Sequence, residues 1–419
     1  EGLRTDVREG KARASAKVIW EDSGRAPQEI YFEVPDERAA GLVCNPDAFL
    51  VGCLVPAVFH GEKRLRTDEP VCPELSAGLE NAMCWLHAWM GARYTPLRLE
   101  VRPRLPLDLP GARGRTGAFF SGGVDSLAML CLNRRQFPAG HPRAIRACVF
   151  VHGFDIGHDP ADPRWDSYTR ALEPLTAAAD ELGMDVVTVA TNVRHLDSGV
   201  QLWVEAFVGS ALASVAHALV GQMDAVYIAS DFRIPLTLPY GSHPLLDACY
   251  QSANLRILRD GLRLTRLEKV ALIADWDAAL GALRPCTGNA PGMINCGRCE
   301  KCVRTMLELM VAGKLGQART FAVHDVTPEV VAGVDIWSAE ARLYMGELIA
   351  PLRALGRRDL AEPLADKCAE YDRHLAWQEE RDWKGVVKRF DRKYLGGALF
   401  DAYAGGLAAV TRRPGPRPS

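Results

Sequence analysis

One six-residue segment has the residue types needed to hold an anion: Ser121-Gly122-Gly123-Val124-Asp125-Ser126. It follows an apolar run, Gly117 to Phe120, and opens a stretch with helical spacing. Glycines let a backbone turn sharply and come close to a ligand, and the first amides of a helix have no partner within the helix. Because the helix dipole also favours negative charge there, the segment predicts a phosphate site at a strand-to-helix turn. The hydroxyls of Ser121 and Ser126 add donors, and the Asp125 carboxylate suits the Mg²⁺ that accompanies a triphosphate.

Four of the 12 cysteines lie close together, in the spacing C-x9-C-x2-C-x2-C: Cys286, Cys296, Cys299 and Cys302. Four thiolates on one short loop suit a tetrahedral zinc ion with no open coordination position, so this zinc would be structural. An iron–sulfur cluster takes the same ligands, although the ferredoxin pattern needs a downstream Cys-Pro that is absent here. Unmetallated thiols are the third interpretation. Disulfides are not expected, because no signal segment is visible and a cytoplasmic, reducing compartment is the default.

The two motifs together resemble those of a known enzyme superfamily. Ser121 to Ser126 matches the SGGxDS signature of the PP-loop ATP pyrophosphatases and is not a Walker A loop, because no Gly-Lys-Ser/Thr follows. The later cysteine pattern resembles that of the 7-cyano-7-deazaguanine synthase branch. Leu264 to Val270 is similar to that branch's Leu-Thr-Lys-x-Glu-Ile segment, with Arg266 where Lys is usual. This resemblance covers Gly117 to Ala312, less than half of the chain.

The resemblance implies a ligase reaction that uses ATP, Mg²⁺ and a structural Zn²⁺. Enzymes of this kind adenylate a carboxylate or carbonyl oxygen and release pyrophosphate. Ammonia or an amine then displaces AMP and gives an amide-type or nitrile-type product. It further implies catalytic roles for Asp125, Ser126 and Arg266, whose guanidinium is suited to a phosphate or a substrate carboxylate. Asp231 follows the fourth predicted strand, and from that position we expect a catalytic role for it, holding Mg²⁺ with Asp125. The alternative for the Arg266 segment is a solvated helix start at which Glu268 and Lys269 face water.

A second part of the nucleotide site is expected at the end of the next strand. PP-loop proteins lay the adenine against backbone groups there, and the matching residues are Val151, His152 and Gly153. Gly153 would permit a close approach of the base. The alternative for His152 is a satisfied polar residue at a strand end.

The segment after the fourth predicted strand departs from the synthase pattern. The tyrosine-proline-aspartate segment of the synthases is absent, and Ser230 to Arg233 and Pro239 to Asp247 stand in its place. Residues after a strand's carboxyl end line the ligand crevice of such sheets. We therefore expect substrate contacts from the following residues: Arg233, Ser242, His243 and Asp247. The departure predicts a small-molecule or modified-peptide substrate other than the deazaguanine.

Two other functions compete with ligase activity. ATP-dependent sulfur transfer to tRNA would need a basic RNA-binding unit, and Trp383 to Tyr394 is basic with interleaved aromatic residues. An ordinary amphipathic helix is the preferred interpretation of that stretch. The formal net charge of −2 gives no global attraction for nucleic acid, which makes such a partner unlikely without excluding it. The other competitor is a nucleotide-binding module without catalysis.

These residues require a scaffold of alternating strands and helices. From Gly117 onward the pattern predicts an α/β fold with a doubly wound parallel sheet, whose ligands bind at the carboxyl ends of the strands. Long helices are expected over Val200 to Val220 and Arg266 to Leu283. We expect an α+β unit over 1–110, the PP-loop domain with its cysteine loop (286–302) over 111–312, a helical region over 313–410 and a disordered tail over 411–419.

Length and composition set the remaining expectations. A chain of 419 residues with 48% hydrophobic content can form two or three compact units. It contains no run of eighteen or more apolar residues, so a membrane-embedded protein is not expected. The first 110 residues match no motif, and we expect them to shape the substrate pocket or a homodimer contact.

Overall fold

The computed structural model describes residues 1–154, 165–234, 239–286 and 292–381. Within these residues the strands are β1 (Arg4–Arg8), β2 (Lys11–Val18), β3 (Gln28–Pro35), β4 (Arg64–Arg66), β5 (Arg98–Glu100), β6 (Thr116–Phe119), β7 (Ile145–His152), β8 (Asp185–Thr191), β9 (Ala225–Ala229) and β10 (Arg256–Asp260). The basic stretch at 383–394, the tail at 411–419 and part of the cysteine loop, 287–291, lie outside the described residues.

Helices connect and follow these strands. Those up to residue 326 are α1 (Pro46–Phe59), α2 (Pro73–Met90), α3 (Val124–Gln136), α4 (Trp165–Glu181), α5 (Val200–Leu202), α6 (Val208–Ala218), α7 (Pro244–Asp247), α8 (Arg266–Ile273), α9 (Asp277–Ala282) and α10 (Glu300–Val311). Those that follow are α11 (Pro328–Ala332), α12 (Ala339–Ala354) and α13 (Arg358–Arg381).

The main sheet has eight strands in the order β1-β2-β3-β8-β7-β6-β9-β10. The five strands from β8 to β10 are parallel, and β6, all of whose residues are buried, is central among them. Buried, continuously apolar strands are typical of parallel sheets covered by helices. Numbered by appearance, these five strands have the order 3-2-1-4-5, which is compatible with a Rossmann-like fold. The predicted α/β class with a mostly parallel sheet is confirmed, whereas the doubly wound PP-loop type stays a prediction.

The first strands of the chain belong to the same sheet. β1, β2 and β3 form antiparallel pairs, and β3 continues the sheet through Phe32 opposite Thr191 and Glu33 opposite Ala190 on β8. The buried helix α1 packs on α6 within one hydrophobic core. The chain divides into two compact units, Glu1–Val326 and a second that begins at Thr327. The domain bounds expected at residues 110 and 312 stay predictions.

The second compact unit is helical in its described residues. α12 packs on α13, and α11 also contacts α13. The start of α12 is capped by the Ser338 hydroxyl, which accepts a hydrogen bond from the Ala341 amide at 3.1 Å. Apolar side chains such as Met345 and Leu348 are fully buried.

Two helices predicted as continuous are interrupted. The helix expected over Val200 to Val220 contains a π-helical turn, Trp203–Phe207, between α5 and α6. Gly241, from a later loop, makes two backbone hydrogen bonds with the helix at this turn. Its amide donates to the Val204 carbonyl at 2.9 Å, and its carbonyl accepts from the Gly209 amide at 2.8 Å. These contacts replace bonds of the helix ladder. The helix expected over Arg266 to Leu283 ends at Ile273, and α9 begins at Asp277.

Candidate functional site

The predicted phosphate loop connects the carboxyl end of β6 to the start of α3. Gly122 has φ of +76°, and a Cβ there would lie 2.8 Å from the Ala282 carbonyl oxygen, so only glycine fits without strain. The Arg284 amide donates to the Gly122 carbonyl at 2.7 Å and fixes the turn. Gly123 is the N-cap residue of α3 and receives no side-chain cap. The first amides of α3 therefore begin at this turn, as an anion site requires.

Both predicted serine hydroxyls make hydrogen bonds within the loop. The Ser121 hydroxyl accepts from the Gly123 amide at 3.3 Å, and the Ser126 hydroxyl donates to the Gly123 carbonyl at 3.0 Å. Val124 is buried at the first position of α3. These hydrogen bonds within the loop restrict its shape, and a restricted loop loses less entropy when it binds an anion.

Asp125 lies against two buried cations. The Lys269 ammonium is 2.7 Å from one carboxylate oxygen, and the Arg266 guanidinium is 3.1 Å from the other. The Lys269 side chain is 1% exposed and the Arg266 side chain 8%. Burial raises the pKa of Asp125, but the charges of Lys269 and Arg266 outweigh burial and hold that pKa below its usual value. The carboxylate is therefore ionised, and it keeps two positive groups next to the loop.

Lys269 is one of the site residues that the sequence analysis missed. The sequence pattern predicts a solvated side chain at a helix start, whereas the Lys269 ammonium is buried and donates to both Asp125 and the Ser230 carbonyl. Glu268 does lie at the surface of that helix start, where it and Thr265 form a capping box. Helix positions three apart share a face, so the spacing of Arg266 and Lys269 was the available signal.

Lys269 connects the loops that follow β6 and β9. Asp125 follows β6 and Ser230 follows β9, and these neighbouring strands lie where the order of the parallel strands reverses direction. In open α/β sheets, ligands bind at this switch point, outside the carboxyl ends of the strands. The structure therefore brings Asp125, Ser126 and Arg266 together with Lys269 at the position where a ligand is expected.

Asp231 follows β9 in the same region, and its pKa is shifted in the opposite direction to that of Asp125. Its side chain is partly exposed. Burial, followed by repulsion from the ionised Asp125, raises the pKa of Asp231, although Arg259 and Lys269 oppose the change. The Asp125 and Asp231 carboxylates are therefore close enough to interact electrostatically.

The residues predicted for the adenine lie at the end of β7, beside the phosphate loop. Gly153 has φ of +111°, and a Cβ there would lie 1.8 Å from the Thr191 carbonyl oxygen. The ring of His152 lies 4.4 Å from that of Tyr168 between centroids. Burial and, to a smaller extent, the charge of Lys11 lower the pKa of His152 to about 4, so the ring is neutral at pH 7. Val151 is partly exposed.

The residues predicted to contact substrate separate into a buried cluster and two other positions. Arg259 on β10, which the sequence analysis missed, donates to Asp247 and, at 2.6 Å, to Ser242. Burial raises the pKa of Asp247 despite the Arg259 charge. The His243 ring caps α7 by accepting from the Leu245 amide at 3.1 Å, and it meets Trp89 of α2 edge-on at 4.8 Å. Arg233 is partly exposed after β9. Ser242, His243 and Asp247 thus support the loop, and a direct contact with substrate stays a prediction.

The four clustered cysteines converge on one point. One sulfur atom from each of Cys286, Cys296, Cys299 and Cys302 lies within 4.8 Å of the other three. The Cys286–Cys299 sulfur pair is 3.9 Å apart and the Cys296–Cys302 pair 3.8 Å apart. A tetrahedral zinc ion with bonds of about 2.3 Å to sulfur requires sulfur–sulfur separations of roughly 3.8 Å. The cluster is a candidate metal site that fits an ion such as zinc.

Local contacts hold the cysteine cluster in place. The Asn295 side chain accepts from the Cys286 amide at 3.3 Å and donates to the Leu283 carbonyl at 2.9 Å. Cys299 is the N-cap residue of α10, and Cys302 lies in the first turn of that helix. Two of the four candidate ligands are therefore part of the start of α10.

Comparison with known proteins adds no assignment. No protein-family model, curated protein or solved structure matches the chain. Among the described helices, none is both long enough and apolar enough to cross a membrane.

Proposed function

We propose that the chain is a PP-loop-type ATP pyrophosphatase that adenylates a substrate oxygen. By resemblance to the 7-cyano-7-deazaguanine synthase branch, ammonia or an amine then attacks the adenylate and forms a carbon–nitrogen bond. One observation carries the proposal: the loop from Ser121 to Ser126 opens α3 at the switch point, beside the buried cations Lys269 and Arg266. Backbone amides and cations converging on one point favour a polyanion.

In the proposed mechanism, the residues around the phosphate loop bind the phosphates and neutralise their negative charge. The loop amides and the hydroxyls of Ser121 and Ser126 bind the phosphates that leave as pyrophosphate. Lys269 and Arg266 neutralise the charge that develops on the leaving group. A carboxylate oxygen can accept more than one contact, so Asp125 can hold both cations and also share Mg²⁺ with Asp231. The magnesium ion would supply further neutralisation of the phosphates.

The adenine is proposed to lie beside Val151, His152 and Gly153. A neutral imidazole at this position does not repel Mg²⁺ or the cations near the phosphates. The substrate would approach from the loop around Arg233, Ser242 and His243, which follows β9. A zinc ion at the cysteine cluster has four protein ligands and would take no part in the reaction.

Product analysis tests the proposed function. The protein is incubated with Mg·ATP, ammonium and a fractionated metabolite extract, and the nucleotide products are separated by chromatography. AMP with pyrophosphate is expected. Asp125→Ala should reduce turnover on the order of 10² to 10³, as expected when a group that stabilises transition-state charge is lost. Formation of ADP with phosphate, or unchanged turnover in Asp125→Ala, would contradict the proposal.

A pair of glycine variants serves as a matched control. Gly122 and Gly183 both have positive φ, of +76° and +66°, but only a Cβ at Gly122 would meet neighbouring atoms. Gly122→Ala is therefore expected to abolish ATP binding, measured by calorimetry, whereas Gly183→Ala should bind like the wild type. ATP binding without turnover in any fraction would favour the non-catalytic nucleotide-binding module instead.

A further inference from the structure

The Arg266 side chain contacts residues of two different helices. Its guanidinium meets Asp125 at 3.1 Å, the Thr305 hydroxyl at 3.2 Å and the Glu308 carboxylate at 3.2 Å. A guanidinium is planar, so three contacts around its edge set both its position and its orientation. Asp125 belongs to the phosphate loop, whereas Thr305 and Glu308 belong to α10.

Two of the contacts to Arg266 come from buried polar residues of α10, Thr305 and Glu308. They are 0% and 1% exposed, and they lie three positions apart on one face of α10. Burial raises the pKa of Glu308, and the charges of Arg266 and Arg304 oppose this change. Lys269 and Arg266 share the carboxylate of Asp125. Glu308 gives Arg266 a second acidic partner.

The same helix starts in the cysteine cluster. Cys299 caps α10, and Cys302 precedes Thr305 by three residues, a rise of about 4.5 Å along the helix. A metal ion bound by all four sulfurs would tie this helix start to Cys286. The position of Thr305 and Glu308 relative to Arg266 therefore depends on how the start of α10 is held.

Cys286, the first cysteine of the cluster in the sequence, lies close in sequence to a residue that contacts the phosphate loop. Cys286 is two residues beyond Arg284, whose amide donates to the Gly122 carbonyl at 2.7 Å. The Arg284 guanidinium donates to the Ser121 carbonyl at 3.4 Å. The cluster thus reaches the loop along two routes, one through Arg284 and one through α10 and Arg266.

We infer that the four-cysteine metal site positions the phosphate loop, with Thr305 and Glu308 as positioning residues for Arg266. Metal binding at the cysteines and anion binding at Ser121 to Ser126 are then positively coupled, so each increases the affinity for the other. The inference rests on the proposed function, because it assumes that the loop binds the phosphates of ATP. It adds a role for the metal site beyond local stability.

Calorimetric titration with inorganic pyrophosphate tests the coupling without turnover. Zinc-loaded protein is compared with protein stripped by a chelator and with stripped protein to which zinc is restored. Pyrophosphate affinity is expected to fall by about tenfold or more on stripping and to recover with zinc, within the range known for groups that orient a site. Circular dichroism checks that the stripped protein stays folded. Equal affinity of folded stripped and loaded protein would overturn the inference.

Variants that leave the cysteines intact test the route through α10. Thr305→Val removes the hydroxyl and keeps the shape, whereas Thr305→Ser keeps the hydroxyl. In zinc-loaded protein, Thr305→Val is expected to weaken pyrophosphate binding by about tenfold or more, the effect of one hydrogen bond to a charged group, and Thr305→Ser should restore it. Equal affinities for the two variants, at equal zinc content, would refute the positioning role even if the stripped protein unfolds.

A cysteine pair supplies the control for metal loss. Cys296 belongs to the cluster and Cys131 does not, and both are partly exposed. Cys296→Ser is expected to lose zinc and bind pyrophosphate weakly, whereas Cys131→Ser should resemble the wild type in both respects. Failure of zinc-loaded wild-type protein to bind either pyrophosphate or ATP would instead contradict the proposed function itself.

Discussion

The buried pair of Asp125 and Lys269 allows a quantitative test of the site's electrostatics. The ammonium and the carboxylate are 2.7 Å apart, with side-chain exposures of 1% for Lys269 and 17% for Asp125. Removing one member of a buried ion pair costs about 3 to 5 kcal/mol, because the remaining charge is left without its partner. Replacing both members by neutral groups of similar shape costs much less than the sum.

The perturbation is a double-mutant cycle with Asp125→Asn, Lys269→Met and the double variant. Asp125→Asn leaves Lys269 and Arg266 without a shared negative charge, and about 4 kcal/mol of unfolding free energy should be lost. Lys269→Met should cost less, about 2 kcal/mol, because Asp125 keeps its bridge to Arg266. The double variant should lose about 3 to 4 kcal/mol. The coupling free energy is therefore expected to be about 2 to 3 kcal/mol.

Urea denaturation followed by tryptophan fluorescence measures these free energies, since the chain has nine tryptophans. Midpoints are compared between variants whose denaturant slopes are equal. The exposed pair of Lys63 and Asp22, whose charged atoms are 2.8 Å apart, is the control, and its cycle should show no resolvable coupling. A coupling below about 0.5 kcal/mol for Asp125 and Lys269 would refute the argument that burial makes this pair a unit.

Three further predictions concern the strand end beside the loop and the cysteine cluster. Gly153→Ala should destabilise the protein by about 3 kcal/mol through backbone strain and the contact with Thr191, whereas Gly183→Ala should cost about 1 kcal/mol in the same urea titration. Because the pKa of His152 falls from 6.5 to about 4 on folding, the unfolded chain binds more protons between these values. The contribution of His152 to stability should therefore be lost as pH falls from 6.5 to 4, with an upper bound of about 3 kcal/mol that solvent screening lowers. His152→Gln should remove this part of the decrease only, because burial also lowers the pKa values of His60, His217 and His243. Elemental analysis should find one zinc and no iron per chain, and a cluster of iron with sulfide would show the metal assignment to be wrong.

Features formed by residues that are close together in the sequence could be predicted from it. The turn at Gly122 and the convergence of four cysteine sulfurs are properties of neighbouring residues, and both are found in the structure. The alternation of strands and helices likewise predicted the mostly parallel sheet. Local chemistry and periodicity determine these features, so they can be inferred before a fold is known.

Features that depend on tertiary contact were not predictable in the same way. Lys269 was not assigned to the site because a lysine at a helix start is usually solvated, and its burial results from the meeting of two distant loops. β10 was missed because its residues Arg256, Arg259 and Asp260 interrupt the apolar pattern expected of a buried strand. The partner of Asp247, Arg259, was missed with it.

The π-helical turn at Trp203–Phe207 constrains how this protein can change by insertion and deletion. A π-helical turn holds one residue more than the regular helix would, and Gly241 makes hydrogen bonds to Val204 within the turn and to Gly209 after it. Deleting one residue there would restore a continuous ladder, occupy the Val204 carbonyl and leave the Gly241 amide without its acceptor. A homologue with a regular helix at this position should therefore carry a loop of different length or sequence around Gly241. Helix length and loop length would then vary together among homologues, and a lineage could alter the loop around Gly241 through a deletion in a helix distant from it in sequence.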